Sequence, residues 1–155
     1  MRRTAVLIGL CLSLAAAGIA IAATHDVVIK GGRYKGFTKQ GHYIRFKVDE
    51  SGDFLKNLHY KLVEDCTNGI PNTNTFSQSG GSAATIGEDE VSFSGTQHLV
   101  PNNRVKSGKV TLTGKFDDSQ HARGKIKDKI VFRKNDPNHR GTCKGQSKFT
   151  VKYKP

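Results

Sequence analysis

The strongest constraint on this chain is a period of two. In GKVTLTGKF, Val110, Leu112, Gly114 and Phe116 alternate with Lys109, Thr111, Thr113 and Lys115. ARGKIKDKIVF sets Ala122, Gly124, Ile126, Ile130 and Phe132 against Arg123, Lys125, Lys127 and Lys129. HYIRFKV sets His42, Ile44, Phe46 and Val48 against Tyr43, Arg45 and Lys47; SKFTVKY sets Phe149, Val151 and Tyr153 against Lys148, Thr150 and Lys152. Successive side chains of a strand point to opposite faces, so these stretches form strands with one face buried and one wet. The 3.6-residue period of an amphipathic helix is almost absent after residue 22. DESGD (49–53), VPNNR (100–104), DDSQ (117–120) and KNDPNHRG (134–141) punctuate the runs with turn chemistry. Residues 66–82, polar and rich in Gly and Asn, read as a loop with one short strand around Phe76. The expected fold is all-β: an antiparallel sandwich or flattened barrel of about eight or nine strands. Lysine at most outward positions of the second half keeps strand edges from pairing with other molecules.

The first 22 residues obey a different rule. Arg2 and Arg3 precede an apolar run, and Ala20-Ile21-Ala22 places small residues at a cleavage site. This is the layout of a secretory signal peptide, with an uncleaved anchor as the alternative. Cys11 lies inside the run and leaves with it. The expected organisation is a signal over 1–22, an N-terminal extension over 23–30 and one β-domain over 31–155, secreted or held in the cell envelope or periplasm. Cleavage lowers Lys plus Arg from 25 to 23 against an unchanged 13 Asp plus Glu, a net charge of +10. Such a charge suits anionic partners such as nucleic acid, phospholipid surfaces, acidic glycans or wall polymers, and it also keeps a domain soluble and monomeric. Two cysteines remain, Cys66 and Cys143. An even count in an exported chain points to one disulfide.

GRYKGFTKQGHYIRFKV (32–48) contains the sharpest candidate site. A two-residue turn at Gln40-Gly41 would mix the two faces of the hairpin. A three-residue turn, Lys39-Gln40-Gly41, pairs Tyr34 with Phe46 and Gly36 with Ile44, leaving Gly41 in the left-handed position. The outer face then opposes Phe37 to Tyr43, Lys35 to Arg45 and Arg33 to Lys47. Like charges placed directly opposite each other destabilise a hairpin, while an aromatic pair supports it. The candidate ligand-binding residues are therefore Arg33, Lys35, Phe37, Tyr43, Arg45 and Lys47. A cold-shock-type RNA-binding domain is disfavoured by the export signal and by the absence of a large cluster of stacking aromatics.

Catalytic signatures are missing. There is no G-x-S-x-G, H-E-x-x-H, Walker loop or dinucleotide fingerprint. Glu88, Asp89 and Glu90 read as a solvated tip, since they match no calcium loop. The histidines, including His42 and His59, lack metal-ligand spacing, and no cofactor is expected. A signal cut after Ala22 would expose Ala23-Thr24-His25, whose amine, amides and imidazole can wrap Cu(II) or Ni(II).

Gly32-x-Tyr34-x-Gly36-x-Thr38-x-Gln40-Gly41, Cys66-Thr67-Asn68-Gly69, the GKF…ARGKI hairpin (114–126) and Cys143-Lys144-Gly145 together carry a resemblance. The chain resembles a loose group of small exported bacterial β-domain proteins, mostly uncharacterised, with one disulfide. The late Cys-Lys-Gly departs from the Cys-x-Ser-Gly of that pattern. The resemblance implies a compact antiparallel β-domain and brings no catalytic residues. The functional expectation is a non-enzymatic exported domain, monomeric, that binds an anionic polymer or envelope component through the outer face of the first hairpin. Two alternatives stand beside it: an interaction or inhibitor domain acting through loops 66–82 and 133–145, and a hydrolase assembled from dispersed residues.

Overall fold

A computed structural model describes residues 28–88, 91–138 and 140–155. Residues 1–27, which include the expected signal over 1–22 and Ala23-Thr24-His25, lie outside them, as do Asp89, Glu90 and His139. Nine strands follow one another: β1 (Arg33–Thr38), β2 (Tyr43–Val48), β3 (Phe54–Cys66), β4 (Asn72–Ser77), β5 (Ala84–Ile86), β6 (Ser92–Leu99), β7 (Val105–Phe116), β8 (His121–Phe132) and β9 (Thr142–Lys154). They form one antiparallel sheet in the order β2-β1-β9-β8-β7-β6-β5-β3-β4, and a further β2–β3 pairing closes it into a ring. β4 hangs on the far edge of β3 and includes Phe76, where the sequence predicted a short strand. Among the described residues no helix is long and apolar enough to cross a membrane.

The inward residues are those the alternation selects. Ile44, Phe46, Val48, Val110, Leu112, Phe116, Ala122, Ile126, Phe149 and Val151 are buried in one core with Leu55, Leu58, Tyr60 and Leu62 from β3. Tyr34, Phe46, Phe93, Phe116 and Phe149 meet edge-to-face, tilted or stacked, with centroids 5.3–6.5 Å apart. Gly114 and Gly124 sit opposite each other on β7 and β8 because the rings of Phe93 and Phe149 fill the space a Cβ would need. Phe132 and Tyr153, also read as inward, are half-buried. His42 lies just before β2 rather than within it.

The first hairpin has the predicted register: Arg33 opposes Lys47, Tyr34 Phe46, Lys35 Arg45, Gly36 Ile44 and Phe37 Tyr43. Thr38 N–H donates to the His42 carbonyl at 2.7 Å, and Gly41 takes φ +78° at the turn. The hairpin tip is wedged into a fork. β3 pairs with β2 as far as Tyr60 and with β9 from Glu64. Val63 lies between these pairings. Its N–H donates to Gln40 Oε1 at 3.0 Å and its carbonyl accepts from Gln40 Nε2 at 3.1 Å. One side-chain amide thus stands in for a missing strand residue and ties the tip to β3.

β1 approaches β9 very closely at Gly36, where a Cβ would lie 2.0 Å from the Thr150 carbonyl oxygen and 2.7 Å from Val151 Cα. Both obstacles are backbone, so neither can rotate away. Gly36→Ala is expected to lower stability by about 1–3 kcal/mol, as overpacking does. A thermal melt checks this, and an unchanged midpoint would contradict the close β1–β9 approach.

Candidate functional site

The outer face of the hairpin is open. Phe37 is 64% exposed and Tyr43 39% exposed. Antiparallel pairing extends this face onto neighbouring strands: Lys35 lies beside Lys152, Arg33 beside Lys154 and Phe37 beside Thr150 on β9. Farther on, Lys148 opposes Lys125, and Lys144, Lys129 and Lys109 stand in one row across β9, β8 and β7. The sheet therefore presents cations over five adjacent strands. Acidic relief is local: Lys47 bonds Glu50 at 2.8 Å, Lys56 meets Asp49 at 3.2 Å, and Asp117 meets Arg123 at 3.0 Å and Lys115 at 4.0 Å. No ion pair among the described residues neutralises Arg33, Lys35, Arg45, Lys125, Lys148 or Lys152.

The structure places five of the six candidate residues in two grooves and leaves Tyr43 outside both. Arg33, Lys35, Arg45 and Lys47 line a groove of about 470 Å³ together with Asn57, His59 and Ser77–Ser79, and no carboxylate lines it. Phe37 faces another, of about 840 Å³, with Lys39, Lys125, Lys148, Arg123 and Lys115 on its walls. Tyr43 stands at the β2–β3 border beside His59, ring centroids 5.0 Å apart.

His59 joins the site through an irregularity in β3. Arg45 pairs with His59 while Lys47 pairs with Lys56, so Phe46 faces two residues, Asn57 and Leu58. Asn57 takes a left-handed φ of 54°, the one such non-glycine residue among those described. A bulge of this kind re-aims side chains. Here it turns Leu58 inward and keeps His59 half-buried on the hairpin side. Arg45 Nη2 donates to His59 Nδ1 at 3.3 Å, and the other ring nitrogen hydrogen-bonds the Tyr43 hydroxyl. With Nδ1 accepting, Nε2 carries the ring hydrogen. Burial, and then the Arg45 charge, lower the His59 pKa and hold the ring neutral. His59 thus orients both Tyr43 and Arg45. Sequence reasoning left it among scattered histidines because a bulge leaves no residue signature in β3 beyond Asn57.

A second polar constellation lies inside the ring. Glu64 is fully buried and Asp128 nearly so, and they flank Gly145 on β9, where a Cβ would meet Asp128 Oδ1 at 2.5 Å. Asn72 Nδ2 donates to Glu64 at 2.7 Å; Tyr60 hydroxyl and Asn74 Nδ2 each donate to Asp128 at 3.3 Å. Burial, then the neighbouring Asp128 charge, push the Glu64 carboxyl up to about 8, and a hydrogen bond to Asp128 acts in the same direction. Glu64 Oε1 and Asp128 Oδ1 receive no other donor among the described residues. A proton held on Glu64 and shared with Asp128 resolves both. Above the pair, Arg140 clasps the buried Asp136 at 2.6 and 3.0 Å, reaches Asn72 at 3.1 Å and lies 3.8 Å over the Phe132 ring. These bonds to Arg140 hold the Asp136 carboxyl well below the usual carboxylate range. Both Glu64 and Asp128 occupy inward positions of the alternation, and that phase was the signal available to find them.

Cys66 and Cys143 form a disulfide across directly paired positions of β3 and β9. Glu64 and the two sulfurs come within 4.8 Å of one another, but sulfurs bonded to each other offer no thiolate to a metal. The grooves hold His59 without a carboxylate, and Asp65 with Asp128 without a histidine. Comparison with protein-family models and with curated proteins finds no match to this chain.

Proposed function

We propose that this protein is a non-enzymatic exported domain that binds an anionic polymer or cell-envelope surface through the outer face of β1 and β2. One observation carries the reading: Arg33, Lys35, Arg45 and Lys47 line a single groove that holds no acid, on a hairpin whose like charges face one another. Glu50 relieves Lys47, but no acid relieves the Lys35–Arg45 pair, whose repulsion costs folding energy that an anionic ligand removes. The scaffold supports the site, since Gln40 ties the hairpin tip to β3 and His59 bonds Tyr43 and Arg45. Binding of this kind weakens steeply with salt, because each neutralised ligand charge releases a counterion. Changing Arg33, Lys35, Arg45 and Lys47 together to Gln is expected to weaken polyanion binding at low salt at least tenfold and to flatten its dependence on log salt by about two to four units of slope. Fluorescence anisotropy over a NaCl series reads both. Unaltered binding by that variant would remove the hairpin from the site.

A second reading rests on the loops around the disulfide. Thr67 Oγ1 donates to the Arg140 carbonyl at 3.0 Å and Asn68 Nδ2 to the Asn138 carbonyl at 2.9 Å, which couples the loop between β3 and β4 (67–71) to the loop between β8 and β9 (133–141) beside an exposed Ile70. An interaction or inhibitor domain would use that surface. Its binding would survive the four-Gln change and weaken on changing the exposed Ile70 to Ser.

A further inference from the structure

We infer that the polymer held by the outer face is a single-stranded nucleic acid, an assignment that rests on the polyanion reading above and names its ligand class. The observation behind it is a row of uncharged side chains between two rows of cations. Strand pairing aligns Tyr43, Phe37 and Thr150 across β2, β1 and β9. On one side run Arg45, Lys35 and Lys152; on the other are Lys148, Lys125 and the turn residue Lys39. Same-face neighbours along a strand are roughly 7 Å apart, so each cation row lies within reach of a chain laid along the middle row. At its far end the middle row reaches Arg123 and Lys115, which Asp117 already engages. The open track is therefore the part over β2, β1, β9 and Lys125.

Two flat rings occupy that track. Phe37 stands 64% exposed and lies directly opposite Tyr43, so the two rings adjoin on the open face. Tyr43 is held in place by His59. Cation rows alone would satisfy a sulfated or phosphorylated glycan, whose charges sit on its saccharide rings. Exposed rings between the rows add most for a ligand that alternates backbone charge with unpaired planar bases, since every base has a face to stack. A duplex keeps its bases stacked inside and gains only the charge contribution. Two rings rather than a large cluster imply sequence-tolerant binding.

The test compares labelled oligo(dT), a DNA duplex and heparin against the wild-type protein, Phe37→Ala, Tyr43→Ala and the four-Gln variant, by anisotropy over a salt series. Loss of one stacked base corresponds to roughly a 5- to 100-fold weakening. Phe37→Ala and Tyr43→Ala should each weaken oligo(dT) by that factor, leave duplex and heparin within about twofold, and leave the salt slope unchanged. The four-Gln variant should weaken all three ligands. If it weakens all three while Phe37→Ala weakens none, or weakens all alike, the nucleic-acid assignment is overturned and the polyanion reading stands. If the four-Gln variant changes nothing, both fall. Thermal melts of Phe37→Ala, whose ring is solvent-exposed, check that the fold is intact.

Discussion

Replacing Glu64 with Gln should stabilise the protein at pH 8 by roughly 4 kcal/mol and at pH 5 by about 1 kcal/mol or less. The sign follows from the raised carboxyl. Its ordinary value is 4.5, and burial with the Asp128 charge takes it to about 8 in the folded chain. Between those values the unfolded chain has lost a proton that the folded chain retains. Wild-type stability therefore falls as pH rises through that window, and is free of the penalty below about pH 4.5. Gln keeps the shape, accepts from Asn72 as Glu64 does and can donate to Asp128 in place of the shared proton. Urea titrations of both proteins at pH 5 and pH 8 read the difference. Parallel pH profiles for wild type and variant would show that Glu64 does not hold the proton.

Removing the disulfide with the double change Cys66→Ala and Cys143→Ala should cost on the order of 4 kcal/mol, lowering the melting temperature by roughly 10–20 °C. The bond closes a separation of 77 residues, so it removes much freedom from the unfolded chain. It also joins the end of β3 to the start of β9, beside the Glu64–Asp128 pair, where the backbone of β9 carries Gly145 and contributes no side chain. Alanine suits the site better than serine because Cys143 is fully buried and Cys66 nearly so. Reductant alone should lower the wild-type midpoint toward that of the variant and leave the variant where it is. A variant melting within a few degrees of wild type would place the constraint on the unfolded chain elsewhere.

Much of the architecture was legible because it is local. Alternation along HYIRFKV or SKFTVKY selects the buried face without reference to any other strand, and Ile44, Phe46, Phe149 and Val151 are buried accordingly. Lys39-Gln40-Gly41 specified the hairpin register through turn chemistry, and Arg33, Lys35 and Phe37 meet Lys47, Arg45 and Tyr43 as that turn requires. That register alone puts Arg33, Lys35, Phe37, Tyr43, Arg45 and Lys47 on one outer face. The separation of Phe37 from Arg33, Lys35, Arg45 and Lys47 into different grooves was not legible, because it depends on β9 lying beside β1 and on β3 lying beside β2. Asp128 breaks the apolar series of β8 at an inward position. A charge there has no evident partner until the fold places Glu64, Tyr60 and Asn74 around it.

Facing and neighbourhood are thus physically different kinds of information. Which side of a strand a residue occupies follows from backbone geometry over two or three residues, and the sequence carried it for nearly every strand. Which strands lie side by side is set by apolar burial summed around the whole ring, with Cys66 and Cys143 and the Gln40 bonds to Val63 holding the closure. That closure put His59 beneath Tyr43 and Arg45, Lys152 beside Lys35, and Glu64 within reach of Asp128. Each of these contacts joins residues far apart in the chain, so no short-range pattern in the sequence could encode it.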